Sequence, residues 1–323
     1  MAIFQTGDGA LGGKLTDATR RSFKMAFKMV PEGGRAIFNA IMTNKKIETF
    51  NSASYDDFAS VTNEGVNYAA FDPTDGDELS LTQAKITASL EVTKESRMYD
   101  QYGIESTLEG AAGLGTMCAK RIELDLQQII SQGTASSYVD KDGNTVSTLA
   151  ADGVALFSSS HTVNGSSSTY DNLDSTAFGQ TGLEAQENLW RGFLNQDGQI
   201  ITRRPDTIFS TSKASLVNLI REYNKGMNHI EDANRGVNVY QGKYDHVVLD
   251  YLDVTNVGAR DTSKDDYWGL VIRKDNNLKF RVSQNPVLHP PQTVQRNRNV
   301  LLQADAHYSY GVEDPICISL ANA

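Results

Sequence analysis

This 323-residue sequence is short of most residues that mark an active site or an export route. Its only two cysteines, Cys118 and Cys317, lie far apart, so no disulfide framework and no zinc-ligand spacing exist; both are expected as buried free thiols. Nowhere do about 18 apolar residues run together, so no membrane span is expected. The opening MAIFQTGDGALGGK lacks a basic head followed by an apolar run, which argues against a secretory signal. Without such a signal, the sequon-like Asn164-Gly165-Ser166 reads as a turn. The histidines His161, His229, His246, His289 and His307 are scattered without ligand spacing. Neither a Walker motif nor a G-x-S-x-G elbow is present, and Ser158-Ser159-Ser160-His161 is a run of chain neighbours, not a spatial triad. Gly113-Leu114-Gly115 sits inside a helical pattern and does not form a phosphate loop. Asp140, Asp142 and Asn144 begin like a calcium loop but lack glycine at the sixth position and have Ala151 at the twelfth, so they read as a plain turn. Asp72, Asp75 and Asp77 read as a solvated acidic loop. No catalytic, cofactor-binding or metal-ligating residue is assigned, and the chain is expected to be structural, not an enzyme.

What the sequence does contain is a globular composition, 39% hydrophobic, and a net charge of −10 that argues against a dedicated nucleic-acid binder. That charge is unevenly spread. Residues 1–50 hold eight Lys/Arg and four Asp/Glu, whereas residues 51–80 hold seven Asp/Glu and neither Lys nor Arg. A basic segment is therefore followed by an acidic one.

The stretch 101–132 organises the rest. Ile104, Leu108, Ala111, Gly115, Cys118, Ile122, Leu126 and Ile129 recur at steps of three and four, which predicts a helix over 105–132, ~40 Å long at ~1.5 Å per residue. Gly110, Gly113 and Gly115 lie inside it, each costing about 1 kcal/mol against alanine, which suggests close backbone approach by a neighbour. With Cys118 and Ile122 they form the expected packing face, onto which the strand 302–310 and its sheet would settle. Leucine at position 113 or 115 would then block assembly.

Before this helix, 1–14 reads as an extended arm. Thr16 is placed to cap a helix to about Val30, with Phe23, Phe27 and Val30 on one side and Arg20, Arg21, Lys24 and Lys28 on the other. Residues 80–93 alternate, Ala84, Ile86, Ala88, Leu90 and Val92 facing one way, as in a strand with one buried face. Together with 61–71 this suggests a long two-stranded projection, which needs a surface to lie on. Asp142-Gly143-Asn144 suggests a hairpin turn. A second helix is predicted over 176–195 with Leu183, Trp190, Phe193 and Leu194 inward, then a strand at 207–210. Ser212 is expected to cap a helix that Gly226 ends, followed by strands at 247–252, 267–273 and 300–311.

This order of parts, with Ala155-Leu156-Phe157-Ser158-Ser159-Ser160-His161-Thr162 followed by Asn172-Leu173, Arg204-Pro205-Asp206-Thr207-Ile208, and His307-Tyr308-Ser309-Tyr310 with Asp314-Pro315-Ile316, resembles a tailed-bacteriophage major capsid protein of the Hong Kong 97-type fold, nearest the Mu-type major head proteins. The resemblance implies an α+β fold with an N-terminal arm over 1–50 and an extended loop over 51–95. A peripheral domain with the spine helix would take 96–206 and 293–323, and an axial domain 207–292. It implies pentamers and hexamers of the chain forming an icosahedral shell around double-stranded DNA that is packaged without specific binding. A separate scaffolding protein, a portal and a decoration protein would be partners, and the setting would be the virion, assembled in the host cytoplasm. An encapsulin-like nanocompartment and another virion component, such as a tail tube, are the alternatives. An uncut N-terminus is expected, as is the absence of covalent crosslinks at Lys85 or Lys94. The charge split adds a contact between neighbouring copies, in which Arg20, Arg21, Lys24 and Lys28 meet Asp56, Asp57, Glu64, Asp72, Asp75, Asp77 and Glu78.

Overall fold

The computed structural model describes residues 10–51, 59, 61–68, 77–99, 105–162, 168–194, 199–201, 203–226, 238–273, 276–294 and 298–322. Its first elements are α1 (Ala10–Met29), α2 (Gly33–Ile37), β1 (Asn39–Met42), β2 (Ile47–Asn51), β3 (Glu78–Thr82), β4 (Ala84–Val92), α3 (Lys94–Tyr99) and the spine helix α4 (Glu105–Ser131). Short strands β5 (Ser137–Val139), β6 (Thr145–Ser147), β7 (His161–Thr162), β8 (Thr169–Tyr170) and β9 (Leu173–Asp174) follow. Next come α5 (Gln180–Arg191), β10 (Thr207–Thr211), α6 (Ala214–Lys225), β11 (Asp245–Leu249) and β12 (Trp268–Val271). The chain closes with β13 (Leu278–Leu288), β14 (Gln292–Thr293), β15 (Val300–Val312) and β16 (Ile318–Ala321).

Two five-stranded sheets carry the fold. In the first, β13 lies between β1 and β15, and both β14 and β4 also pair with β15. β4 runs antiparallel to β15 in unbroken register from Val300↔Val92 to Tyr308↔Ala84. In the second sheet the order is β11, β10, β12, β16, β9, with β10–β11 parallel. Leu126, Ile129 and Ile130 of α4 pack with Phe280, Ala306 and Tyr308 of the first sheet and with Phe209 and Leu320 of the second, so one core joins both sheets. A second core, with Leu183, Trp190, Ile220 and Trp268, lies where α5 and α6 cover the second sheet. A third joins the first half of α4 to Phe23 of α1 and to Val92 and Leu302.

Several expectations are corrected here. α1 starts within the glycine-rich segment, and Thr16 is a mid-helix residue whose carbonyl accepts from the Thr19 hydroxyl. Packing against α4 sustains this helix, because local propensity is weak beside tertiary contact. The partner of Glu78–Thr82 is β2, in register Ile47↔Thr82 to Asn51↔Glu78, while the described residues 61–68 form turn and coil. Lys213, not Ser212, is the N-cap of α6, and the Ser212 hydroxyl accepts from Arg260 instead. In the sheets, β13 pairs with β1 and β15 of the first, whereas β16 lies between β12 and β9 of the second.

The turn at 140–144 is as expected. Asp140 Oδ1 accepts from the amides of Asp142 and Asn144, and Gly143 has φ +86°, which a side chain would resist. Near the C-terminus, Asp314 caps the short 3₁₀ turn Pro315–Cys317 by accepting from the Ile316 amide at 3.1 Å. Burial is the main cause that pushes this carboxyl up to about 6, with Glu313 and Asp152 adding to it and the Ile316 amide and Arg203 opposing. A carboxyl raised in the folded state favours folding below its unfolded value, near 3.8, and loses that contribution as pH rises through about 6. Asparagine caps as well as aspartate. Asp314→Asn is therefore expected to gain about 2–3 kcal/mol over the parent at pH 7.5 and almost nothing at pH 4. Urea midpoints at the two pH values would check this, and equal gains at both would refute it.

Candidate assembly surfaces

The spine helix is where the chemistry of the fold concentrates. Four of the five predicted packing residues, Gly110, Gly115, Cys118 and Ile122, are buried. Each glycine has its own neighbour. A Cβ at Gly110 would lie 2.8 Å from Leu90 and 3.2 Å from Leu302, so this position admits β4 and β15 as expected. A Cβ at Gly115 would overlap the Phe23 carbonyl oxygen, so what it admits is the backbone of α1, not the C-terminal strand. Gly113 is exposed and a Cβ there would meet nothing within 4 Å, which removes it from the packing face and corrects the expectation for leucine at that site. Helical period alone cannot say which neighbour sits at which turn. Cys118 and Cys317 are buried free thiols that burial pushes up to about 11 and about 12.

From Ile122 to Ser131 α4 is buried all round, including Glu123, Asp125, Gln127 and Gln128, which the periodicity places on a polar face. Every one of these has partners. Glu123 accepts from the Gly34 amide (2.6 Å), Arg35 Nε (2.7 Å) and Gln127 (3.0 Å), and so ties α2 to the spine. Asp125 accepts from Arg121 and from the Tyr308 hydroxyl, and Arg121 also reaches Asp140 and Asp142 of the hairpin turn. Burial raises the Asp125 carboxyl against the opposing pull of Arg121 and Tyr308. The Gln127 side-chain Oε1 accepts from the Tyr251 backbone amide, and the Gln128 side-chain Nε2 donates to the Val254 backbone carbonyl. Lys264 caps the helix end by donating to the Ser131 carbonyl and hydroxyl. The sequence signal for this tether is faint: four polar residues, at 123, 125, 127 and 128, on both sides of one helix.

The histidine of the serine cluster is structural. His161 is fully buried, with Nδ1 2.7 Å from Asp152 and Nε2 3.2 Å from both the Leu156 carbonyl and Asn172. Asn172 in turn donates to the Leu156 and Ile318 carbonyls and accepts from the Ser158 amide. The motif 155–162 with 172–173 is thus a polar knot that fastens this loop to β16. Among the described residues no cluster of three or more potential metal ligands occurs.

On the surface, Arg20, Arg21, Lys24 and Lys28 are all exposed on α1 and form no ion pair among the described residues. Met25 and Met29, 61% and 76% exposed, share that outer side. Of the seven acids expected opposite them, Asp56, Asp57, Asp72 and Asp75 lie outside the described residues. Glu64 and Glu78 are exposed; Asp77 is half-buried, its carboxyl raised by burial and then by Asp152 of the same chain.

No family model matches this sequence, and no curated protein matches it. Solved structures do match. A virus-like particle from Pyrococcus furiosus aligns over 95% of this chain and 98% of its own, with TM-score 0.52 and 8% identity. The capsid of the cyanophage P-SCSP1u aligns over 88% and 86%, with TM-score 0.55 and 9% identity. The capsid of the Myoviridae phage XM1 aligns over 90% of each chain, with TM-score 0.51 and 8% identity. The chain has the Hong Kong 97-type capsid fold. In this Hong Kong 97-type fold, α4 is the spine, α1 packs against its first half, and β2 pairs with β3 across the 26-residue acidic segment 52–77. At these identities the likeness is one of fold.

Proposed function

We propose that this chain is a major capsid (head) protein, which self-assembles as pentamers and hexamers into an icosahedral shell enclosing packaged double-stranded DNA. The observation that carries this reading is the whole-length match of its fold to capsid and virus-like-particle chains, with no large part of either left over. Three features support it. The segment 52–77, between the paired strands β2 and β3, concentrates acidic charge together with its flanks. α1 presents four exposed cations that form no ion pair among the described residues. The chain as a whole is acidic, so a lining made of it would hold dense DNA without gripping it. The first sheet with α4 would be the peripheral part and the second sheet with α5 and α6 the axial part. The stretches 155–162, 204–208 and 307–310 favour the Mu-type head proteins as nearest relatives. A scaffolding protein, a portal and a decoration protein are the partners this reading brings, and the virion, built in the host cytoplasm, is its setting. Electron microscopy of the purified protein tests it: closed shells are expected, and tubes or dispersed monomers would refute it.

A second reading has one observation in its favour, since one similar structure is a virus-like particle. A nanocompartment shell would enclose a protein cargo in place of a genome. Absorbance of purified particles at 260 against 280 nm separates the two.

Between copies, we assign Arg20, Arg21, Lys24 and Lys28 to the acidic excursion of a neighbour. Single exposed pairs contribute about 0–1 kcal/mol, but the contact repeats over the whole shell. Lys24→Glu with Lys28→Glu is expected to raise the subunit concentration needed for assembly at least about tenfold at 0.1 M salt, where screening acts over ~10 Å. The difference should shrink at 1 M. Light scattering against concentration measures it, and a salt-independent defect would exclude a charge contact.

A further inference from the structure

The stem of the acidic excursion is seated on its own subunit in an unusual way. β2 and β3 alternate, with Glu48, Phe50, Leu79 and Leu81 turned inward and Ile47, Thr49, Asn51, Glu78, Ser80 and Thr82 exposed. The inward face rests on the side of the first sheet opposite its core. There β13 presents Lys279 and Arg281, while its alternate residues Leu278, Phe280 and Val282 enter the core. The Phe50 ring is gripped by two cations, with Arg281 Cζ 4.9 Å and Lys279 Nζ 5.5 Å from its centroid. Glu48 Oε2 lies 3.3 Å from Arg281 Nε. Leu81 settles over Gly311, where a Cβ would come within 2.6 Å. Gln83, just past the stem, donates to the Arg281 carbonyl and the Ser309 hydroxyl.

Both cations are fixed without Phe50. Lys279 pairs with Glu313 at 2.6 Å, and Arg281 donates to the Asn39 carbonyl at 3.2 Å. The seat is thus preorganised and belongs to the rigid sheet. The stem is held by charge and ring contacts at Phe50 and Glu48 beside the apolar seat of Leu79 and Leu81 on Gly311.

We propose that Phe50, held between Lys279 and Arg281 and backed by the Glu48–Arg281 pair, is the positioning residue that sets the angle at which the acidic excursion leaves the subunit to meet a second copy. This rests on the shell reading above, and gives it a device for register: the direction of the excursion is fixed inside one subunit before any neighbour is met.

The test compares Phe50→Ala and Phe50→Tyr with the parent, using hydrogen exchange on dissociated subunits and electron microscopy after reassembly. Phe50 lies outside the three apolar cores, so Phe50→Ala should fold. Its amides at 47–51 and 78–82 are expected to exchange about tenfold faster, with α4 and both sheets unchanged, and its particles to be open or of mixed diameter. Phe50→Tyr keeps the ring face and should give uniform parental shells. Unchanged stem exchange in Phe50→Ala, or uniform parental shells despite faster exchange, would overturn the inference. If the parent itself forms no closed particle, the shell reading fails and the positioning role falls with it; a defect or its absence in Phe50→Ala alone bears only on the clamp.

Discussion

Glu123→Ala is expected to lower the unfolding free energy by about 3–5 kcal/mol, the range for removing one partner of a buried ion pair. Glu123 is fully buried, and its two oxygens accept from a backbone amide, a guanidinium and a side-chain amide. Removing them leaves the Gly34 amide without an acceptor on the spine and Arg35 with the exposed Glu32 at 3.0 Å and the Phe27 ring at 4.9 Å. The pair Arg35–Glu32 will offset part of the loss, because Arg35 can turn toward water. Glu123→Gln, which keeps the volume and one acceptor, should cost about half as much. Urea denaturation of the dissociated subunit measures both, and a loss below about 1 kcal/mol for Glu123→Ala would show that α2 is not tethered through this carboxylate.

Gly115→Leu should also destabilise the subunit, by another route. The Phe23 carbonyl occupies the space that any Cβ at 115 requires, and a backbone atom cannot rotate aside as a side-chain end can. α1 must therefore lift from α4, exposing Phe23, Leu114 and Cys118 of the third core. Overpacking of this kind typically costs about 1–3 kcal/mol and more where backbone is displaced, less the ~0.8 kcal/mol that leucine returns in helix propensity. Gly113→Leu, two residues away, meets open space and gains the propensity alone, so it should stabilise slightly. The two substitutions should thus shift the melting temperature in opposite directions. Limited proteolysis should cut within α1 only in Gly115→Leu; equal behaviour of the two variants would refute the assignment.

Much of this architecture is legible in local pattern. A repeat of three and four over nearly thirty residues has only one regular backbone that gathers its apolar positions on one side, so α4 was readable to within a residue at each end. The alternation of 300–311 was equally decisive for β15, which runs Val300–Val312. Glycine at 226 ended α6 because a helix stop is a local matter. The two-stranded stem was not legible in the same way. Ile47–Asn51 is short and finds its partner across 26 residues, and no period within either strand records that distance. Phe50 drew no notice because its importance depends on two cations more than two hundred residues later.

The candidate surfaces divide along the same line. Exposure of Arg20, Arg21, Lys24 and Lys28 followed from the helical face opposite Phe23, a local fact. The burial of Glu123, Asp125, Gln127 and Gln128 did not follow, since period assigns polar residues to water unless partners arrive from elsewhere. Those partners come from α2, β15 and the 251–254 turn.

By itself, then, the sequence determined the spine, the closing strand, the basic arm face and the acidic excursion, because each depends on spacing within one segment and on the charge it carries. Tertiary structure alone decided which glycine admits which neighbour, which strand seats the stem, and which sheet each of β13 and β16 joins. The reason is physical: pairing and close approach are set by backbones brought together from distant parts of the chain, and a polar residue is buried only where those distant groups satisfy it.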